Sequence, residues 1–266
     1  MKKLIAVFML ALSLSSFGQI EADFKEIIAK NQDGKGLQNI ALTFIETPYV
    51  SATLDVNSVE DLVVNFRELD CVTFVETCMA LSKTLESDNV DFDNFCNNLQ
   101  NIRYRDGVID GYLSRLHYTS DWIFDNVKKN IIKDRTQEIG GIEFPLQLSY
   151  MSAHPDNYPR LKNQPYLVDS ILKIESEVNK RTYYYIPKGD IKSKESLIND
   201  GDIICFTTSI KGLDISHLGI AYRKNGVLTF IHASYTAKRV IVNPESLVDY
   251  CAKIKSNNGI MVLSLK

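Results

Sequence analysis

Between Leu69 and Leu85 the apolar positions fall on one helical face. Cys71, Phe74, Val75, Cys78 and Met79 recur at the i, i+3, i+4, i+7, i+8 spacing of a 3.6-residue period, which predicts a buried helix. Asp70 stands where an N-cap side chain would accept from the first-turn N–H groups. A further helix is expected around Asp91 to Leu99, and helical spacing also runs from about Asp23 to Ile45 with a break at Gly34 and Gly36. From about Lys128 to Asp200 the chain carries Pro145, Pro155, Pro159, Pro165 and Pro187 and no long periodic run, so loops and short elements are expected there. The last third differs again. Asp202 to Phe206, His217 to Arg223, Val227 to Ser234, Arg239 to Val242 and Ile260 to Leu265 are short, rich in Ile, Val, Tyr and Phe, and separated by turn residues, as in an antiparallel sheet. Helices first and sheet last predict an α+β domain rather than a doubly wound parallel sheet.

The N-terminus reads as a secretory leader: a charged Met1-Lys2-Lys3, an apolar run from Leu4 to Leu14, and mostly small residues to Gly18. The run is short of the ~20 residues that cross a bilayer. Setting aside residues 1–18 leaves 19–266, enough for a single domain with an inserted segment at about 103–200. No cysteine stands at the cleavage region for a lipid anchor, and no later segment is long and apolar, so an exported, periplasmic protein without a membrane anchor is expected. Loss of Lys2 and Lys3 moves the formal charge from −3 to −5, which argues against nucleic acid as a partner.

Five cysteines, Cys71, Cys78, Cys96, Cys205 and Cys251, are an odd number for an exported chain, so at least one thiol stays unpaired and is a candidate nucleophile. Cys71 and Cys78 are too far apart along a helix to bridge, at about 10 Å. There is no C-x-x-C or H-E-x-x-H, and His117, His154, His217 and His232 are scattered, so no metal site is expected.

Asn225-Gly226 predicts a type I′ hairpin, since both residues tolerate positive φ. With a two-residue loop, Lys224 faces Val227, Gly219 lies opposite His232 and His217 opposite Ser234. The two histidines then project from one face as diagonal neighbours roughly 7 Å apart, with Gly219 leaving room for His232. A loop longer by one residue would send them to opposite faces. Cys71 at a helix start would meet the positive end of the dipole, which lowers a thiol pKa, and unpaired N–H groups there could receive an oxyanion. One histidine would act as base and the second would hold its ring and tautomer. On composition alone the reading of Cys71 as a core cysteine is favoured by roughly two to one; the helix start, the same-face histidine pair and export reverse that balance.

LDCVTFVE at Leu69 to Glu76, GDIICF at Gly201 to Phe206, LDISHLGIAY at Leu213 to Tyr222 and LTFIHAS at Leu228 to Ser234 resemble the N-acetylmuramoyl-L-alanine amidase-like family, within the NlpC-type superfamily of papain-like cell-wall hydrolases. The TPYV around Tyr49 and the block Arg103 to Asn126 resemble it too. Asp70-Cys71-Val72-Thr73 departs from the Asp-Cys-Ser-Gly common in the superfamily and matches the amidase-like branch. The resemblance implies a papain-like α+β fold, an amide substrate in peptidoglycan or its muropeptide fragments, and no cofactor. It implies Cys71 as nucleophile, His217 as base, His232 as orienting residue, and Tyr49 either near the oxyanion or packed at a strand end.

Arg103, Tyr104, Arg115, His117, Tyr118 and Trp122 could line a murein-binding cleft, since sugars stack on aromatic faces and carboxylates pair with guanidinium groups. Alternatively Leu113, Leu116, Trp122 and Phe124 are core, and Arg103 and Arg115 pair with Asp106 or Asp121. His154, beside Pro155, is expected to be exposed and incidental. Three other readings compete with the amidase: an endopeptidase cutting the stem after D-glutamate, a zinc amidase, and a non-catalytic murein-binding module.

Overall fold

Phe24, Ile28 and Asn31 are the inward residues of the helix with which the described chain begins, α1 (18–31). The computed structural model describes residues 18–32 and 36–266, so the expected leader lies outside the described residues except for Gly18. Helix α2 (Leu37–Leu42) starts after Gly36, whose φ of 113° suits a residue without Cβ. The helical span expected from Asp23 to Ile45 is therefore two helices.

Helix α3 (Cys71–Leu85) is capped by Asp70, whose carboxylate accepts from the N–H groups of Val72 at 3.0 Å and Thr73 at 2.8 Å, while Thr73 Oγ1 accepts from the Asp70 N–H. Every residue from Thr73 to Ser82 is buried, between α2, α4 (Phe92–Arg103) and the sheet. Burial on all sides puts Glu76 inside the protein, and Arg103 of α4 meets it at 2.7 Å.

Helix α5 (Thr119–Lys128), β1 (Ile132–Asp134), β2 (Ile142–Glu143), α6 (Tyr150–Ala153), α7 (Pro165–Val178), β3 (Tyr184–Pro187) and α8 (Ile191–Lys194) make up the middle of the chain. Then come β4 (Ile203–Thr208), β5 (Ile215–Lys224), β6 (Val227–Ser234), β7 (Arg239–Val242), α9 (Leu247–Lys253) and β8 (Asn257–Leu265). The strands form one antiparallel sheet in the order β2-β3-β8-β4-β5-β6-β7, with β1 also on β8.

The middle third corrects the expectation of loops and short elements. Helix α7 has 14 residues, with Pro165 in its first turn and Ile171, Glu175 and Val178 buried along one side. Strands β1 and β3 divide the outer edge of β8 between them, pairing with Leu263–Leu265 and Gly259–Ile260 respectively.

Alternation along the strands builds a core on each face. Ile203, Cys205, Leu218, Ile220 and Ile231 pack toward α3, and Ile204, Phe206, Ala221 and Phe230 toward α8 and α9. Asn225 and Gly226 have φ of 52° and 81°, and the hairpin keeps the expected register from Lys224↔Val227 to Ile220↔Ile231. Beyond that pair β5 continues against β4 and β6 against β7.

Candidate active site

The strand ends just past this hairpin ladder carry both histidines. His217 pairs with Phe206 of β4, and His232 with Ile241 of β7. Their rings meet at 82° with centroids 4.8 Å apart, and His217 Nε2 lies 2.6 Å from His232 Nδ1. The pair is tighter than diagonal spacing alone requires. Gly219 makes room mainly for Phe230 rather than for His232: a Cβ there would stand 2.7 Å from Phe230 Cδ2 and 3.4 Å from His232 Cβ.

Cys71 is the first residue of α3 and half-buried. The backbone N–H of Leu218, the residue after His217, and the N–H groups at the helix start favour its thiolate, but burial and the neighbouring Asp70 charge outweigh them, and the thiol is pushed up to about 12. The expectation of a net lowering at the helix start is thus reversed by desolvation. The first turn is also less open to an oxyanion than expected, because Asp70 takes the Val72 and Thr73 N–H groups. Burial lowers His217 to about 4; burial and then His217 lower His232 to about 3.

Tyr49 joins the strand-like turn before α3 through a bridge to Leu69, and its ring meets Tyr235 edge-on at 5.6 Å. Burial, then the charges of Cys71 and Asp70, raise its hydroxyl to about 12.

The aromatic and basic block divides. Trp122 is 2% exposed and Tyr104 1%, the latter donating its hydroxyl to Glu60 and to the Asp61 carbonyl. Both belong to the interior, as do Leu116 and Tyr118, whereas Phe124 is exposed under Arg181. Arg103 and Arg115 do pair structurally, but not with Asp106 or Asp121. Arg103 meets Glu76, and Arg115 meets Asp55 at 2.5 Å and Glu60 at 3.4 Å. Asp121 is instead held by Arg105 and Arg181, and Asp106 by Lys128. His154 is exposed, as expected.

Arg103, Arg115 and His117 nevertheless line a cavity of about 170 Å³ together with Asp70, Val72 and Glu76, beside the start of α3. His117 Nε2 bonds the Tyr112 carbonyl at 2.8 Å, and burial followed by Arg115 lowers His117 to about 3, so it is a neutral wall of the cavity. Arg115 Nε has no hydrogen-bond partner among the described residues. A larger cavity of about 500 Å³ opens between residues 144–149 and 208–213, with none of the sequence-predicted site residues in its wall. Sequence reasoning missed Asp55 and Tyr250, neither of which stands in a motif.

Residues 39–260 match the model of a family described as N-acetylmuramoyl-L-alanine amidase-like. Among solved structures, an N-acetylmuramoyl-L-alanine amidase from Bacteroides uniformis is 38% identical, with a TM-score of 0.85 over 88% of this chain and 100% of its own. A Bacteroides fragilis protein with a provisional description as a xylanase is 42% identical, with a TM-score of 0.81 over 85% of this chain and 98% of its own. A Legionella pneumophila protein, 22% identical with a TM-score of 0.69 over 96% of each chain, shares the fold. No curated protein matches the chain.

Proposed function

The chain belongs to the N-acetylmuramoyl-L-alanine amidase-like family, and from that premise we propose that it hydrolyses the amide between N-acetylmuramic acid and L-alanine in peptidoglycan or muropeptides, with Cys71, His217 and His232 as its catalytic group. The observation that carries this reading is one arrangement. A cysteine stands at a helix start, the N–H next to His217 favours its thiolate, and His217 is hydrogen-bonded through Nε2 to His232 at 2.6 Å.

His217 Nε2 is committed to His232, so Nδ1 is the nitrogen that exchanges a proton with the sulfur. The resting pair is a neutral thiol and a neutral imidazole, since burial disfavours both charges. His217 takes the thiol proton as sulfur attacks the lactyl carbonyl carbon, then returns it to the departing L-alanine nitrogen as the C–N bond breaks. Water attacks the thioester with His217 as base, the C–S bond breaks, and the sugar carboxylate leaves. The Cys71 N–H and the Tyr49 hydroxyl are the donors proposed for the oxyanion. The cavity lined by Arg115 and His117 would take a polar part of the substrate beside the reacting carbon.

The same chemistry and layout support a kinship with papain-like NlpC-type hydrolases, and the leader-like N-terminus supports an exported, periplasmic enzyme. A glycosidase, as the Bacteroides fragilis relative's provisional description would suggest, needs two carboxyl groups flanking the bond. Here Asp70 is engaged as a helix cap and Glu76 as the partner of Arg103.

The test is to incubate defined muropeptides with wild type and Cys71→Ala and identify the new termini by mass spectrometry. A free peptide beginning with L-alanine, absent with the variant, is expected. Cleavage after D-glutamate would assign an endopeptidase, and unaltered muropeptide a binding module.

A further inference from the structure

His232 is 3% exposed, and its Nε2 is buried without a hydrogen-bond partner among the described residues. A buried imidazole nitrogen that bonds nothing is costly, so what surrounds it matters. The ring neighbours of His232 are His217, Phe230 at 4.6 Å and Tyr250 of α9 at 6.1 Å and 75°. Phe230 and Tyr250 are themselves packed edge-to-face at 4.8 Å. Phe206 closes the group, 4.9 Å from Phe230, 5.2 Å from Tyr250 and 5.6 Å from His217. Sequence motifs include His232 and Phe230 but not Tyr250.

The bond between the histidines can be made in two ways. In the first, His217 Nε2–H donates to His232 Nδ1, which leaves His217 Nδ1 bare and puts the second proton of the pair on His232 Nε2. In the second, His232 Nδ1–H donates to His217 Nε2, so His217 carries its proton on Nδ1 and His232 Nε2 presents a lone pair. Only the first leaves His217 able to accept a proton from the sulfur. The faces of aromatic rings are negative: they attract an N–H and repel a lone pair.

On the reading that Cys71 and His217 carry the reaction, we propose that Phe230 and Tyr250 are positioning residues that enclose His232 Nε2 in aromatic carbon and thereby hold the histidine pair in the first, base-competent form. Burial, which keeps both imidazoles neutral, leaves the choice between forms to these neighbours. The Tyr250 hydroxyl takes no part; its ring does.

The first measurement is long-range 1H–15N NMR on wild type labelled at histidine. We expect a protonated His232 Nε2, a bare His232 Nδ1 and a protonated His217 Nε2. Among variants, Tyr250→Phe keeps kcat. Tyr250→Glu offers only an acceptor to Nε2 and keeps the competent form, with kcat within about tenfold of wild type. Tyr250→Lys offers only donors, inverts the pair and lowers kcat at least about 100-fold, by analogy with a triad in the wrong tautomer. A cation there would by itself favour the Cys71 thiolate, so simple electrostatics predicts the opposite order. A wild-type spectrum with the proton on His232 Nδ1 overturns the proposal even if no variant folds, as does an equal loss in the Glu and Lys variants. Amidase activity surviving in Cys71→Ala would instead defeat the catalytic reading, and the spectrum would be unaffected by it.

Discussion

The backbone N–H of Leu218 favours the thiolate of Cys71, so the strand that carries His217 acts on the sulfur at the head of α3. Desolvation nevertheless wins, and the thiol stays protonated at neutral pH.

Alkylation of Cys71 by iodoacetamide is therefore expected to accelerate about tenfold per pH unit between pH 7 and 10, following the thiolate fraction. Because His217 is lowered to about 4, amidase activity should persist to about pH 5 and fail below it. A reactivity plateau already reached by pH 5 would mean a preformed thiolate–imidazolium pair and refute the neutral resting state.

Asp70 both caps α3 and raises the thiol. Asp70→Asn keeps a cap acceptor and removes the charge, so alkylation at pH 7 should quicken with little change in Tm. Asp70→Ala should quicken it too, while costing about 0.5–2 kcal/mol of stability. Slower alkylation in both variants would contradict the assigned direction.

Glu76 and Arg103 are a buried pair, each side chain 3% exposed. Arg103→Ala should cost about 3–5 kcal/mol in urea unfolding, because it strands a carboxylate, and Arg103→Met with Glu76→Leu should recover most of it. A single-variant loss below about 1 kcal/mol would show that water reaches the site.

Tyr49→Phe is expected to lower kcat about 100-fold with KM little changed, as for loss of one oxyanion donor. Equal kinetics for the variant and wild type would return Tyr49 to a packing role against Tyr235.

His117, His217 and His232 all sit below the ordinary histidine value of 6.5 when folded. The unfolded chain binds their protons first, so their contribution to stability is complete above pH 6.5 and is lost as pH falls toward 4 and 3. Asp214 and Glu76, raised by burial, act in the opposite sense. His117→Gln should lose less stability than wild type between pH 6.5 and 4, by up to about 1.4 kcal/mol per pH unit, measured by thermal unfolding. Parallel curves for the two proteins would place the His117 proton elsewhere.

What the sequence determined by itself was local. The spacing from Cys71 to Met79 and the Asp70 cap specify α3, since a period and a cap depend on neighbours a few residues away. Asn225-Gly226 specifies the hairpin register, and with it the shared face of His217 and His232, because two positive-φ residues leave one way to close the turn. Helix α7 was legible only in part: Pro165 marks its first turn, but the surrounding prolines hid the Ile171–Val178 side. Tertiary structure decided the rest. That β1 and β3 both seat on β8 depends on pairing across more than 70 residues, which no local pattern encodes. Trp122 and Tyr104 went to the interior, Arg115 turned to Asp55, and the Cys71 thiol rose, because burial is set by which elements close over a side chain and desolvation acts only once they have closed.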